Sequence, residues 1–302
     1  MINELLNIEF PIIQGGMAQV ATGEFAAAIS NAGALGTIGS GGMTAEILEE
    51  HIHKAKSLTD KPFAVNIMLM NPDVDNIAQL CIDEKIEVIT TGAGNPGEYI
   101  DGWKDAGIKI FPVVASVALA KRLESLGVDG VIAEGCESGG HVGELTTMVL
   151  LPQVCDAVDV PVIAAGGIAG GRQLKAAIIL GAQGAQVGTC LLASHECPIH
   201  ENYKDAVIKA RDLSTIVTGR IAGTPVRVLK NPMSREYVKR EKAGADLMKL
   251  EQFTLGSLTK AVKYGDVKEG SLMAGQVSSM VKEKKSAREI IENIMKEYES
   301  IK

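Results

Sequence analysis

Short, unbroken apolar runs alternate along this chain with longer segments whose apolar residues recur every three to four positions. The runs are "FPIIQGGM" (10–17), "LGTIGSG" (35–41), "FAVNIML" (63–69), "EVITTGAG" (87–94), "IKIFPVVAS" (108–116), "DGVIAEG" (129–135), "VPVIAAGG" (160–167) and "GAQVGT" (184–189). Each is apolar on both faces, the pattern of a strand buried in a parallel sheet rather than one with a wet side. Between them lie segments of helical period, such as "TAEILEEHIHKAKSL", "VDNIAQLCIDEK", "SVALAKRLESLG" and "GRQLKAAIILG". Thr44 and Ser116 stand at N-cap positions, and Gly107, Gly127 and Gly181 stand where helices should stop.

Eight strands separated by about seven helices admit two architectures, an open doubly wound sheet or a closed (β/α)8 barrel. The count of eight and a core of roughly 190 residues favour the barrel. The first strand-to-helix turn, "QGGMAQVATGEF", lacks the G-x-G-x-x-G that a dinucleotide-binding Rossmann turn requires. After residue 190 the alternation stops, and the segment to about 265 reads as polar and helical, without a strand. A last helix between Gln276 and Ser300 would complete the barrel. The expected organisation is thus an α/β TIM barrel from residues 1–190 and 271–302. A small helical cap subdomain, 191–270, is inserted between strand 8 and helix 8, over the C-terminal mouth where barrel enzymes place their chemistry.

Composition narrows the class. The 302 residues carry a net charge of -7, which argues against a nucleic-acid or anionic-membrane surface. No apolar run is long enough to cross a bilayer, and the N-terminus lacks a signal-peptide pattern, so a cytoplasmic protein is expected. The five cysteines form no C-x-x-C pair, and "SHECPIH" (His195, Cys197, His200) matches no common ligand spacing, so no metal site is expected. His51 and His53, two apart on a helix, cannot share a face and are expected to be solvated.

The chemistry should therefore lie just past the strand ends. There the 33 glycines concentrate: Gly15-Gly16-Met17, Gly39 to Gly42, Asn66, Gly92 to Asn95, Glu134 to Gly143, Gly166-Gly167, and Gln186-Val187-Gly188-Thr189. Glycine lets backbone N–H groups approach a ligand, and the loops after strands seven and eight form the usual phosphate corner of this fold. Thr189 could add a hydroxyl donor. No nucleophile elbow, P-loop or H-E-x-x-H occurs. Among Glu134, Glu137 and Glu144, the latter two read as solvated loop acids. His141, flanked by Gly139, Gly140 and Gly143, is the best candidate for acid–base work near neutrality.

These stretches together, with "TTGAGNP", "EGCESGGHVGELTTM", the "KARD" of 209–212 and "GSLMAGQ", resemble the flavin-dependent enoyl-acyl-carrier-protein reductases of type II, within the nitronate monooxygenase superfamily. The resemblance runs from residue 10 to about 276. It implies FMN held at the barrel mouth, with its phosphate on Gly166, Gly167 and Gln186 to Thr189. The ring would lie near Gly16, Met17, Asn66, Glu134, Gly139 and Gly140, approached by Met273 and Gln276. It further implies reduction of a trans-2-enoyl thioester, carried by acyl carrier protein or CoA, at the expense of NADH or NADPH. That reaction is the last step of the fatty-acid elongation cycle, and His141 falls on the family's active-site histidine. A monovalent cation and a homodimer are further expectations. The alternative within the superfamily is a nitronate monooxygenase, in which His141 would be the base. Cys190 stands where relatives often carry Arg, and Glu134 where oxidase relatives tend to carry Gln.

Overall fold

A computed structural model describes residues 1–302. All eight apolar runs form strands: β1 (Ile12–Gln14), β2 (Gly36–Gly39), β3 (Phe63–Met68), β4 (Val88–Gly92), β5 (Lys109–Val114) and β6 (Val131–Glu134), then β8 (Val162–Ala165) and β9 (Gly184–Val187) after the short β7 (Gly140–His141). Their order is β1-β9-β8-β6-β5-β4-β3-β2, with every pairing parallel. The ring closes where Leu35 N–H donates to Ile12 O and Gln14 N–H to Leu35 O, both at 2.9 Å. The molecule is a (β/α)8 barrel.

Two apolar layers follow from strands that are buried on both sides. Inside the barrel, Ile13, Leu35, Ala64, Val88, Phe111, Ile132 and Ile163 pack together with Ile2 and Leu6. Those last two come from a helix, Ile2–Leu6, which closes the barrel floor and is tied there by Ile2 N–H donating to Gln183 O at 3.0 Å. Each of these side chains larger than alanine contributes about 1.5–3 kcal/mol on burial. The outer layer lies between strands and helices and is far larger.

Thr44 occupies the N-cap position of the helix Ala45–Leu58 without a side-chain cap hydrogen bond, whereas the other expected caps act as their residue types dictate. Ser116 Oγ accepts from Leu119 N–H at 3.3 Å, and Gly107, Gly127 and Gly181 adopt positive φ just past their helices. The last helix, Ala287–Ser300, begins with a capping box of Ser286 and Glu289. It packs on the helix Gly171–Ile179, where Gly171 leaves no room for a side chain against Tyr298 N and its own N–H donates to Glu297 Oε2 at 2.6 Å. The chain thus returns to the barrel at the position of an eighth helix.

The long stretch between β9 and that helix carries the helices Glu201–Ile208, Pro232–Lys242, Leu247–Thr254 and Ser257–Tyr264. The expectation that it holds no strand is corrected. An antiparallel hairpin, β10 (Thr215–Thr218) and β11 (Val226–Leu229), turns through Gly219 and Gly223, both at positive φ. β11 then pairs with β7, placing Val226 opposite His141 and Arg227 opposite Gly140. The insertion is therefore stitched by main-chain hydrogen bonds to the loop that leaves β6.

Candidate active site

One cavity of about 280 Å³ opens at the C-terminal mouth, close to the lower end of small-ligand pockets. Fourteen of the fifteen residues singled out from the sequence line it: Gly16, Met17, Asn66, Glu134, Gly139, Gly140, His141, Gly166, Gly167, Gln186, Val187, Gly188, Thr189 and Met273. Gln276 does not. It is exposed at the start of a 3-10 turn, its N–H donates to Glu137 O at 2.9 Å, and its neighbour Val277 faces the cavity instead.

The corner after β8 and β9 is built almost wholly of backbone. Gly166 and Gly167 sit at φ +85 and +75, a region that L side chains avoid. A Cβ on Gly166 would stand 2.5 Å from Gly135 O. Gln186 is buried, and its Oε1 has no hydrogen-bond partner. Thr189, expected as a donor, accepts from Gly275 N–H at 2.9 Å through its Oγ1, which leaves its own proton free. A buried acceptor left open and a cradle no Cβ could share are features of a site shaped for a polar ligand.

Across the cavity runs the loop from β6. Glu134 ends the strand half-buried, and desolvation pushes its carboxyl up to about 7. Glu137 corrects its sequence reading: it is half-buried, lines the cavity, and accepts from Thr147 N–H (2.9 Å) and Oγ1 (3.1 Å) at the start of the helix Thr147–Cys155. Glu144 does stay in solvent, paired with Arg220 at 2.6 Å. Gly139 brings the loop against the segment returning at 273–277, where a Cβ would come within 2.7 Å of Ala274 Cα. His141 stands at the rim with its side chain still reachable by solvent, and partial desolvation lowers its pKa, so the neutral imidazole dominates at pH 7.

Several lining residues were given no role by sequence reasoning, among them Ser138, Tyr203, Leu258 and Val277. Ser138 holds a buried hydroxyl beside the Glu134 carboxyl, which it favours as the anion against the larger effect of desolvation. Tyr203, Leu258 and Val277 come from the insertion and the segment after it. Tyr203 Oη donates to Met273 O at 2.7 Å, which fixes Met273 at the rim. Ser138 was legible, because it lies inside the glycine loop, whereas the other three are ordinary amphipathic positions until the chain is folded.

Elsewhere, His51 is not simply solvated, since its Nδ1 accepts from Gly23 N–H at 3.2 Å. His53 is exposed and pairs with Glu84 at 3.0 Å, and with Glu49 these groups form a carboxylate–imidazole cluster on the outer helices. His200 caps its helix through Nδ1, and Cys197 is buried. Cys190 is also buried, its thiol pushed up to about 12, and it does not line the cavity.

The nitronate monooxygenase family profile matches residues 1–80 and 74–297. The chain belongs to the nitronate monooxygenase family. FabK from Thermotoga maritima superposes with a TM-score of 0.96 at 48% identity, covering 99% of this chain and 95% of that one. A nitroalkane oxidase from Streptomyces ansochromogenes superposes at 0.87 with 28% identity, covering 99% and 97%. In sequence, a probable nitronate monooxygenase of Staphylococcus saprophyticus is 33% identical over 99% of this chain and 98% of its own length. The members named here are oxidoreductases, and this chain is an enzyme of that class.

Proposed function

We propose that the cavity holds FMN and that the enzyme reduces the 2,3-double bond of a trans-2-enoyl thioester, carried by acyl carrier protein or CoA, using NADH or NADPH. One observation carries the reading: a single mouth cavity sets a backbone corner suited to a phosphate opposite a glycine loop bearing His141. The branch is favoured by 48% identity to FabK, an enoyl-acyl-carrier-protein reductase, against 28% and 33% for the oxidase-named relatives.

The residues present fit the flavin. Gly166, Gly167 and Gln186 to Thr189 would hold its phosphate through backbone N–H groups and the Thr189 hydroxyl, while the open Gln186 Oε1 would accept from an N–H or hydroxyl elsewhere on the flavin. Gly16, Asn66, Glu134, Gly139 and Gly140 would face its ring. Bound FMN supplies hydride exchange between the nicotinamide and the enoyl β-carbon. The protein's own task is placement and charge. Apolar Met17, Met68, Leu192, Leu258 and Val277 exclude water around the thioester. His141 is placed at the rim either to donate an N–H toward the thioester carbonyl, where enolate charge develops, or, as the imidazolium, to pass a proton to the α-carbon and return to the neutral imidazole. Glu134, partly protonated near neutrality, can donate as well as accept beside the ring.

The test is a pair of half-reactions on purified protein. The expected protein is yellow, is bleached anaerobically by NADH or NADPH, and is reoxidised by a crotonyl thioester. Bleaching by an alkyl nitronate but by neither nicotinamide would instead establish the oxidase of the same family.

A further inference from the structure

We propose that Arg227 is a positioning residue for His141: its guanidinium ties the insertion to the loop leaving β6 and so sets where the imidazole stands over the cavity. The inference rests on the reductase reading above. Arg227 keeps only 6% of its surface exposed, an unusual place for a charged side chain. It forms no ion pair with any carboxylate. Instead Nε and Nη2 both donate to Cys136 O, at 3.2 and 2.8 Å, and Nη1 donates to Thr215 Oγ1 at 3.1 Å. A buried cation directed at one loop carbonyl is placed to hold that carbonyl, because charge-assisted donors are the strong ones.

The same residue grips the loop twice. Its side chain holds Cys136, and its backbone pairs with Gly140, while the adjoining Val226 pairs with His141. The two grips bracket Glu137, Ser138 and Gly139, all of which face the cavity. The loop needs an outside brace. Gly139, Gly140 and Gly143 surround the histidine, Gly140 lies at φ +76, and β7 is only two residues long. Glycine confers conformational freedom, not direction, so the aim of His141 must come from elsewhere. Arg227 supplies it from the insertion rather than from the barrel.

The experiment uses the full-length, flavin-loaded enzyme and separates its two half-reactions by stopped flow. In Arg227→Met, reduction by NADH or NADPH should stay within about two-fold of wild type. The saturating rate of reoxidation by crotonyl thioester should fall about 100-fold, the cost of misplacing a reacting group by about 1 Å. Arg227→Lys, whose ammonium can reach Cys136 O but not Thr215 as well, should restore about ten-fold of that loss. Wild-type reoxidation in Arg227→Met overturns the proposal, and so does an equal fall in both half-reactions with loss of flavin, which marks a merely structural role. If Arg227→Met does not fold, Arg227→Lys decides alone: a selective reoxidation deficit supports the proposal and parity refutes it. A wild-type enzyme that crotonyl thioester fails to reoxidise sinks the reductase reading, a failure distinct from that of Arg227.

Discussion

On the β8–β9 side of the mouth, the groups that face the cavity belong to the barrel and are mostly main chain: two glycines at positive φ and the run Gln186 to Thr189. On the β6 side the facing groups are side chains, Glu134, Glu137, Ser138 and His141, on a glycine loop braced from the insertion through β11. The first side is chemically plain and closely packed, suited to holding a bound ligand. The second carries the mouth's ionisable side chains, suited to a ligand that reacts. On the proposed function, holding and reacting would fall to different materials.

Substitutions at the two sides should therefore fail differently. The largest effect is expected from His141→Ala, which should keep its flavin yet lose about 10²–10⁴-fold in reoxidation by crotonyl thioester. Wild-type rates would remove His141 from the chemistry. Gly166→Ala should show the opposite pattern. A Cβ 2.5 Å from Gly135 O on a residue at φ +85 should cost about 2–4 kcal/mol and release flavin, read by absorbance after gel filtration. If the variant binds flavin normally, the backbone corner is not the anchor.

A pH experiment sharpens the β6 side. The Glu134 carboxyl, raised from 4.5 to about 7, binds its proton more tightly in the folded apoprotein than in the unfolded chain. The stability it contributes is complete below pH 4.5 and is lost as pH rises through 7. Glu134→Gln removes that loss. Its melting temperature should match wild type at pH 5 and exceed it at pH 8.5, by an amount equivalent to about 2 kcal/mol. The smallest effect belongs to Arg220→Ala. Its exposed pair with Glu144 also links hairpin to loop, yet should be worth under about 1 kcal/mol and leave both half-reactions unchanged.

How much of this was legible follows from what each element relies on. The eight strands were readable because most are apolar on both faces over four or more positions, as in "PVIAA" and "VITT". The mouth residues followed from strand ends without further information. The hairpin was not seen, because "TIVT" and "VRVL" are four residues each in polar surroundings and take their third strand from two residues of a distant loop. Glu137 looked like a solvated acid because its partners, the N–H and hydroxyl of Thr147, are invisible until the loop folds back. Gln276 was one position off the mark, since a 3-10 turn rotates Val277 inward and leaves the glutamine outside.

The floor formed by Ile2 and Leu6 has a kinetic meaning. A vessel stopped at its base has one doorway, so on the proposed function a nicotinamide and an acyl thioester that share the pocket would take turns rather than meet. Each must leave before the other arrives, and reciprocal plots of initial rate at several fixed levels of the second substrate should run parallel rather than converge.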